Sequence, residues 1–232
     1  MAEPAAPHIA PRSGLGRNCL AALDSRTAMT KGMNVHSVER RTAAPVETDK
    51  REAILDAALE LFGERGFHGT AVPQVAERAG VGAGTIYRYF ESKEALVNAV
   101  YQRWKTALGR ALIEDFPSNA PVREQFRVFW RRMAGFAERH RAAMMFLELH
   151  HHGTYIDDKS RACEEMVLAA GRGFFDETRR RQVTKDVDSE LLIALVWGAF
   201  SMLMKGCWTR NVELTDELLD AAENCMWEAI RR

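Results

Sequence analysis

The tightest constraint on this chain is a pair of short helical segments joined by a forced turn. Between Val72 and Phe90 the sequence runs VPQVAERAGVGAGTIYRYF. Val72, Val75, Ala76 and Ala79 recur on one helical face, so a short helix is expected over about Val72 to Ala79. Its N-cap is Thr70 or Ala71, and Pro73 falls in the first turn, where a missing N–H costs little. Gly80 permits a sharp turn, and a third helix begins near Gly82. With Ile86 at zero and about 100° per residue, Ala83 and Phe90 lie within about 60° of it and should anchor that helix inward. Gly84 then sits at about 160° and Arg88 at about 200°, with Tyr87, Thr85 and Tyr89 on the flanks. A glycine in the middle of an exposed helical face lowers helix stability and covers nothing. It makes sense where another molecule must approach the backbone, with Thr, Tyr and Arg supplying donors to phosphates and base edges.

A phosphate-binding loop does not fit: GxGxxG would need a glycine at Ile86 or beyond and a preceding strand, and no GK[ST] ending is present. An ordinary helical corner remains as the bland alternative, though it leaves the joint outward display of Gly84, Tyr87 and Arg88 unexplained. Upstream, Thr48 is a candidate N-cap, with Asp49 in the first turn. Ile54, Ala58, Leu61 and Phe62 then form an apolar face. Gly66 suits a left-handed position at the end of that helix, and Phe67 can fold back onto Phe62.

These residues carry a family resemblance. REAILDAALELFGERGF, then Thr70, then VPQVAERAGVGAGTIYRYFESKEAL resemble the DNA-binding domain of TetR-type transcriptional regulators over residues 48 to about 108. The resemblance implies an all-α fold: an N-terminal three-helix helix-turn-helix domain, a fourth helix from about Ser92, and a C-terminal helical bundle for ligand binding and dimerisation. By matching position it implies Gly84, Thr85 and Tyr87 at the major groove and Tyr89 and Lys93 on phosphates; Thr70 and the outward Arg88 are further candidate DNA contacts. The family commonly begins its recognition helix with Ser-Lys, whereas Gly82-Ala83 stands here, so the cap is weaker and one cationic base contact is absent. Residues 47–105 hold eight Lys/Arg against nine Asp/Glu. Affinity for the DNA backbone must therefore come from placed cations such as Lys50, Arg88 and Lys93, or from the N-terminal arm.

The expected domains are a disordered extension over residues 1–46, a DNA-binding domain over 47–108, and a ligand-binding and dimerisation domain over 109–232. The extension shows no periodicity, contains Pro4, Pro7, Pro11 and Pro45, and carries six Lys/Arg against three acids. It is either a floppy leader (or an overcalled start, with Met29 or Met33 as initiator) or a basic arm on DNA phosphates. Charge over the whole chain is balanced at 32 Lys/Arg and 32 Asp/Glu, which by itself points to neither nucleic acid nor membrane. No apolar run approaches the roughly 20 residues of a membrane span, and the N-terminus lacks the apolar core of a secretory signal. Cys19, Cys163, Cys207 and Cys225 show no metal or CxxC spacing, as for reduced thiols in the cytoplasm.

Five helices are expected between about Pro121 and Arg232. Phe126, Phe129, Trp130, Met133 and Phe136 share a helical spacing that suits core, with some members free to line an apolar cavity. The residues assigned to that cavity are Trp130, Met133, Phe146, His150, Met166, Phe174 and Trp197. In LELHHHGTYIDD, Glu148 and His152 share a face. Three consecutive histidines point three ways and cannot all reach one ion, so no metal or other cofactor is expected. LLIALVWGAFSMLMKGCW (Leu191 to Trp208) is apolar nearly all round, and Thr215 caps a final helix with an apolar stripe. A four-helix dimer interface is expected from Leu195, Gly198, Met202, Leu218, Ala222, Met226 and Ile230, because a reader of palindrome halves needs a two-fold partner. The implied function is a ligand-responsive homodimeric repressor, released from a pseudo-palindromic operator by a small apolar effector. The partners are thus operator DNA, the effector and a second copy, and the chain is not expected to be an enzyme. A thiol-based redox sensor and a metal-dependent enzyme using the histidine cluster are the alternatives.

Overall fold

The first helix is fixed near its far end by one glycine. A computed structural model describes residues 45–149 and 153–232, with side chains described for 49–148 and 153–232. The expected extension over 1–46, Cys19 and the histidines at 150–152 lie outside the described residues, except that α1 (Pro45–Gly69) already includes Pro45 and Val46. The helix starts earlier than a Thr48 cap would place it, with proline in the first turn, where its fixed φ fits and no N–H is missed. At its other end Gly66 takes φ 69°, and Phe67 turns back to stack on Phe62 at 6.2 Å between ring centroids. Ile54, Ala58, Leu61 and Phe62 are all buried, as their spacing requires.

Eight further helices follow among the described residues: α2 (Val72–Arg78), α3 (Ala83–Tyr89), α4 (Lys93–Ile113), α5 (Val122–Arg139), α6 (Arg141–Leu149), α7 (Asp158–Arg180), α8 (Ser189–Arg210) and α9 (Asp216–Ile230). Ser92 caps α4 by accepting from the Ala95 N–H at 3.1 Å, and Thr215 caps α9 in the same way. Helix α4 packs against α1, α5, α6 and α7, so it runs through both halves of the fold. Its C-terminal carbonyls are collected by Arg132 of α5, which donates to Leu112, Glu114 and Asp115. Where α4 crosses α7, a Cβ on Gly109 would come within 3.1 Å of Val167.

Asn98 is the polar pin of this core. It is 4% exposed, and its amide donates to the carbonyls of Glu94 and Tyr155. Its oxygen accepts from the Asp157 N–H and the Ser160 hydroxyl. A buried amide so fully used fixes the α6–α7 connection onto α4.

Helix α8 corrects one expectation. It is long and apolar enough, by length and composition, to cross a bilayer, with a mean hydropathy of 1.6 over its most apolar window. Leu192, Val196, Phe200, Met204 and Cys207 are buried inside the fold, and 28% of that apolar window is buried in all. Helix α9 is held against α5 by ion pairs. Glu223, 3% exposed, meets Arg123 through both oxygens, and the guanidinium lies over the Trp227 ring at 5.3 Å. Arg131 reaches Asp220 at 2.6 Å and Asp216 at 3.3 Å. The chain end adds an antiparallel bridge between Thr184 and Arg231. Glu223→Ala is expected to cost about 2–3 kcal/mol in urea unfolding, since it strands a half-buried guanidinium. The cost should shrink in an Arg123→Ala background; an equal cost in both would show that the pair does not hold α9.

Candidate functional site

Helix α3 projects from the α1–α2 frame on two buried side chains. Ile86 is 1% exposed and Phe90 6%, and Gly80 makes the preceding turn at φ 65°. Gly82 is the N-cap and supplies no side-chain bond. Ala83 does not anchor the helix as the wheel suggested: it is exposed in the first turn after the Gly82 cap, and Ile86 and Phe90 carry the inward face. Gly84 faces open space, with nothing within 4 Å of the place a Cβ would take. Tyr87 is 55% exposed, Arg88 is exposed, and Thr85 and Tyr89 are half-buried on the flanks.

Thr70 and Lys93, both expected on DNA, have partners within the fold. Thr70 is corrected: it is 2% exposed, and its hydroxyl donates to the carbonyls of Leu61 at 3.0 Å and Gly66 at 2.9 Å. It pins the corner between α1 and α2, while Ala71 is the N-cap and the Gln74 side chain accepts the Ala71 N–H. Lys93 sits with its ammonium 4.2 Å from the Phe67 ring centre. Sequence reasoning missed Arg51, whose guanidinium lies 5.5 Å from the Phe90 ring and so ties α1 to the end of the projecting helix. Only the tertiary fold brings these two residues together.

In the C-terminal half, the residues assigned to a cavity divide. Trp130 and Met133 are each 1% exposed. Phe146 faces α1, with its ring 6.3 Å from Phe62. Met166 and Phe174 are half-buried on α7, and His150 lies outside the described residues. Trp197 donates its indole N–H to Glu148. Burial raises the Glu148 carboxyl above its ordinary range, against the opposing pull of Trp197 and Lys105. Lys105 lies 3.7 Å from Glu164. Tyr101 stands in the same node, where burial and the Glu164 carboxylate keep its phenol protonated well past its usual range. Sequence inspection noticed Glu148 only for its helical spacing to His152; its tie to Trp197, 49 residues away, has no local signal.

Two family models meet at the middle of α4. The model described as bacterial regulatory proteins, tetR family, matches residues 54–100, and the one described as Tetracyclin repressor-like, C-terminal domain, matches residues 101–232. The chain belongs to the tetR family. Among curated relatives, the HTH-type transcriptional regulator RutR of Escherichia coli K12 is 41% identical over 104 residues, which are 43% of this chain and 47% of that protein. The chain thus spans about half the length of the curated relatives it matches first. Among solved structures, a TetR family transcription regulator from Marinobacter aquaeolei is 25% identical at a TM-score of 0.72, covering 80% of this chain and 97% of that one. The regulator FadR of Bacillus subtilis, solved in complex with stearoyl-CoA, shares the fold at a TM-score of 0.62 and 23% identity, over 76% and 95% of the two chains.

In this tetR-family chain the residues assigned to a dimer face also divide. Leu195 and Met202 are 50% and 65% exposed, Leu191 beside them is 49% exposed, and Gly198 is exposed among them. Leu218, Ala222 and Met226 are half-buried on α9. Ile230 is corrected to core: it is 1% exposed, and its carbonyl accepts the Lys185 N–H at 2.9 Å, so the last turn of α9 is tucked inward. Cys207 is buried, Cys163 half-buried and Cys225 exposed, all as free thiols. Among the described residues no three His, Cys, Asp or Glu side chains gather as a metal site. Thr70→Val is expected to lower stability by about 1 kcal/mol. Operator affinity measured well below the melting point should stay within about twofold, whereas a tenfold loss in the folded variant would return Thr70 to the DNA surface.

Proposed function

We propose that the chain is a homodimeric transcriptional regulator that binds a pseudo-palindromic operator and is released from it by a small effector with a largely apolar body. The observation that carries the reading is the outward face of α3. Gly84 leaves the backbone open to approach, and Tyr87 and Arg88 stand beside it on a helix anchored by Ile86 and Phe90. Such a face suits a major groove, with Thr85, Tyr87 and Arg88 toward base edges and Tyr89 and Lys93 toward phosphates. On this reading residues 47–108 form the DNA-binding domain and residues 109–232 the effector and dimerisation domain. The protein acts in the cytoplasm as a binding protein rather than an enzyme.

The exposed row of Leu191, Leu195, Gly198 and Met202 supports a second copy as the partner. An apolar helical face of this length suits an isologous four-helix contact with α9, and two-fold symmetry would match the two halves of an operator about 34–36 Å or a multiple apart. Effector release follows by linkage: the ligand binds the DNA-incompetent state better, and DNA weakens ligand binding by the same factor. The acyl-CoA held by the Bacillus subtilis FadR relative supports an apolar body for the effector.

Selection from random duplex DNA with the purified chain tests the reading, and an enriched inverted repeat is the expected result. General, salt-sensitive binding with no enrichment would count against it. Gly84→Val should abolish operator binding with helicity and dimer intact, because two methyls would stand where DNA must approach. Met202→Glu should give a monomer in sedimentation and weaken operator binding by about tenfold or more through lost bivalency. Full operator affinity in the valine variant would remove the role given to Gly84.

A further inference from the structure

Glu148 puts a carboxylate where few donors reach it. It stands on α6 under α8, and one oxygen accepts the Trp197 indole N–H. A carboxylate has about four lone-pair directions to fill, and one indole fills one of them. Lys105, the ammonium of this node, lies against Glu164 of α7 and not within ion-pair distance of Glu148. Two further buried polar groups, on Ser201 and Trp130, make no well-formed hydrogen bond among the described residues. Ser201 follows Trp197 by one turn of α8, and its buried hydroxyl lies beside Glu148, close enough to favour the carboxylate but out of line for a well-formed hydrogen bond. Trp130 is 1% exposed, and its indole N–H is likewise unpaired. Its ring lies 5.5 Å from Phe200, which is 6.3 Å from Trp197, so the two indoles flank one phenyl ring.

The node therefore combines aromatic rings with two carboxylates against one ammonium. Its outer member, Glu164, keeps 45% of its side chain exposed and opens the node to solvent beside α7. A carboxylate with no cation in ion-pair contact, which feels Lys105 only at longer range, is complementary to an organic cation when set among aromatic faces: the charge pairs with the acid and the apolar body with the rings. An anionic effector would confront two carboxylates, with the one lysine already engaged. We infer that the effector of this chain carries one protonated nitrogen on an apolar or aromatic body, and that Glu148 receives that nitrogen. The inference rests on the effector-responsive reading above and specifies the chemical class of its ligand.

Matched probes test it: phenylbutylamine, phenylbutanol and phenylbutyrate share one body and differ in the charge of the head. Titration calorimetry on the full-length dimer at neutral pH should show the amine binding about tenfold tighter than the alcohol, with the acid weakest. Glu148→Gln keeps an oxygen for Trp197 and should fold. It should leave the alcohol's affinity unchanged and bring the amine's down to it. Lys105→Met should tighten the amine several-fold, a gain that a misfolded protein cannot produce. Preference for the acid, an amine preference that survives Glu148→Gln, or no binding of any probe at millimolar concentration would each overturn the inference. Effector binding and operator binding are separable here. A chain that enriches an inverted repeat yet prefers the acid loses the cationic effector and keeps its regulatory role, while failure to enrich any repeat would fall on the regulatory reading.

Discussion

Four aromatic rings hold the projecting helix frame to the bundle. Phe62 and Phe67 come from the end of α1, Phe146 from α6, and Tyr155 from the connection that Asn98 pins to α4. Phe67 stacks on Tyr155 at 4.3 Å and carries the Lys93 ammonium on its ring. Burying rings of this size contributes roughly 1.5–3 kcal/mol each, and the geometric consequence matters as much. Gly66, which kinks α1 near its end, is what lets Phe67 turn back, so one residue at φ 69° sets where both halves of the fold touch. A close-packed contact of this kind transmits displacement rather than absorbing it.

Charge is used sparingly on the half proposed to face DNA. Arg78 reaches Glu60 at 2.6 Å, and Arg51 pairs with Glu52 while covering Phe90. Arg103 stands 3.1 Å from Glu52 and 2.9 Å from Asp56, close enough for attraction though its N–H directions miss both. These cations are spent on holding α1, α2 and α4 together, and exposed pairs of this type contribute at most about 1 kcal/mol each. Binding that depends on few free cations depends correspondingly on shape, which is where an open Gly84 and a projecting Tyr87 have their value.

The parts of this fold that were legible in the sequence are those with local causes. Gly66 and Gly80 announce positive φ, Ser92 and Thr215 announce caps, and the spacing of Ile54, Ala58, Leu61 and Phe62 announces a buried face. Misreadings came where the answer lies across the fold. Thr70 looks like a surface hydroxyl until the carbonyls of Leu61 and Gly66 come round to meet it. Ala83 shares a wheel sector with Ile86, yet it is exposed, and burial on α3 begins only with Ile86. Ile230 continues the stripe of Leu218, Ala222 and Met226, yet the chain end bends that last turn inward. The apolar length of α8 likewise conceals two unlike faces, one packed and one open, that periodicity alone does not separate.

Helix α6 is where the two halves of the proposed function come together. Phe146 and Glu148 are two residues apart, so they point about 200° from one another around the helix. Phe146 accordingly meets Phe62 of α1, while Glu148 meets Trp197 of α8. A nine-residue helix clasped on opposite sides by a ring contact and a buried hydrogen bond cannot turn or slide without changing both. On the reading proposed above, an effector nitrogen that shares the Glu148 carboxylate with Trp197 alters the force on one side of α6. The other side is the ring contact that sets the attitude of α1, and with it the helix that Arg51 ties to Phe90. Linkage then requires the converse: DNA that fixes α3 would hold α6 and weaken the hold of Glu148 on its ligand.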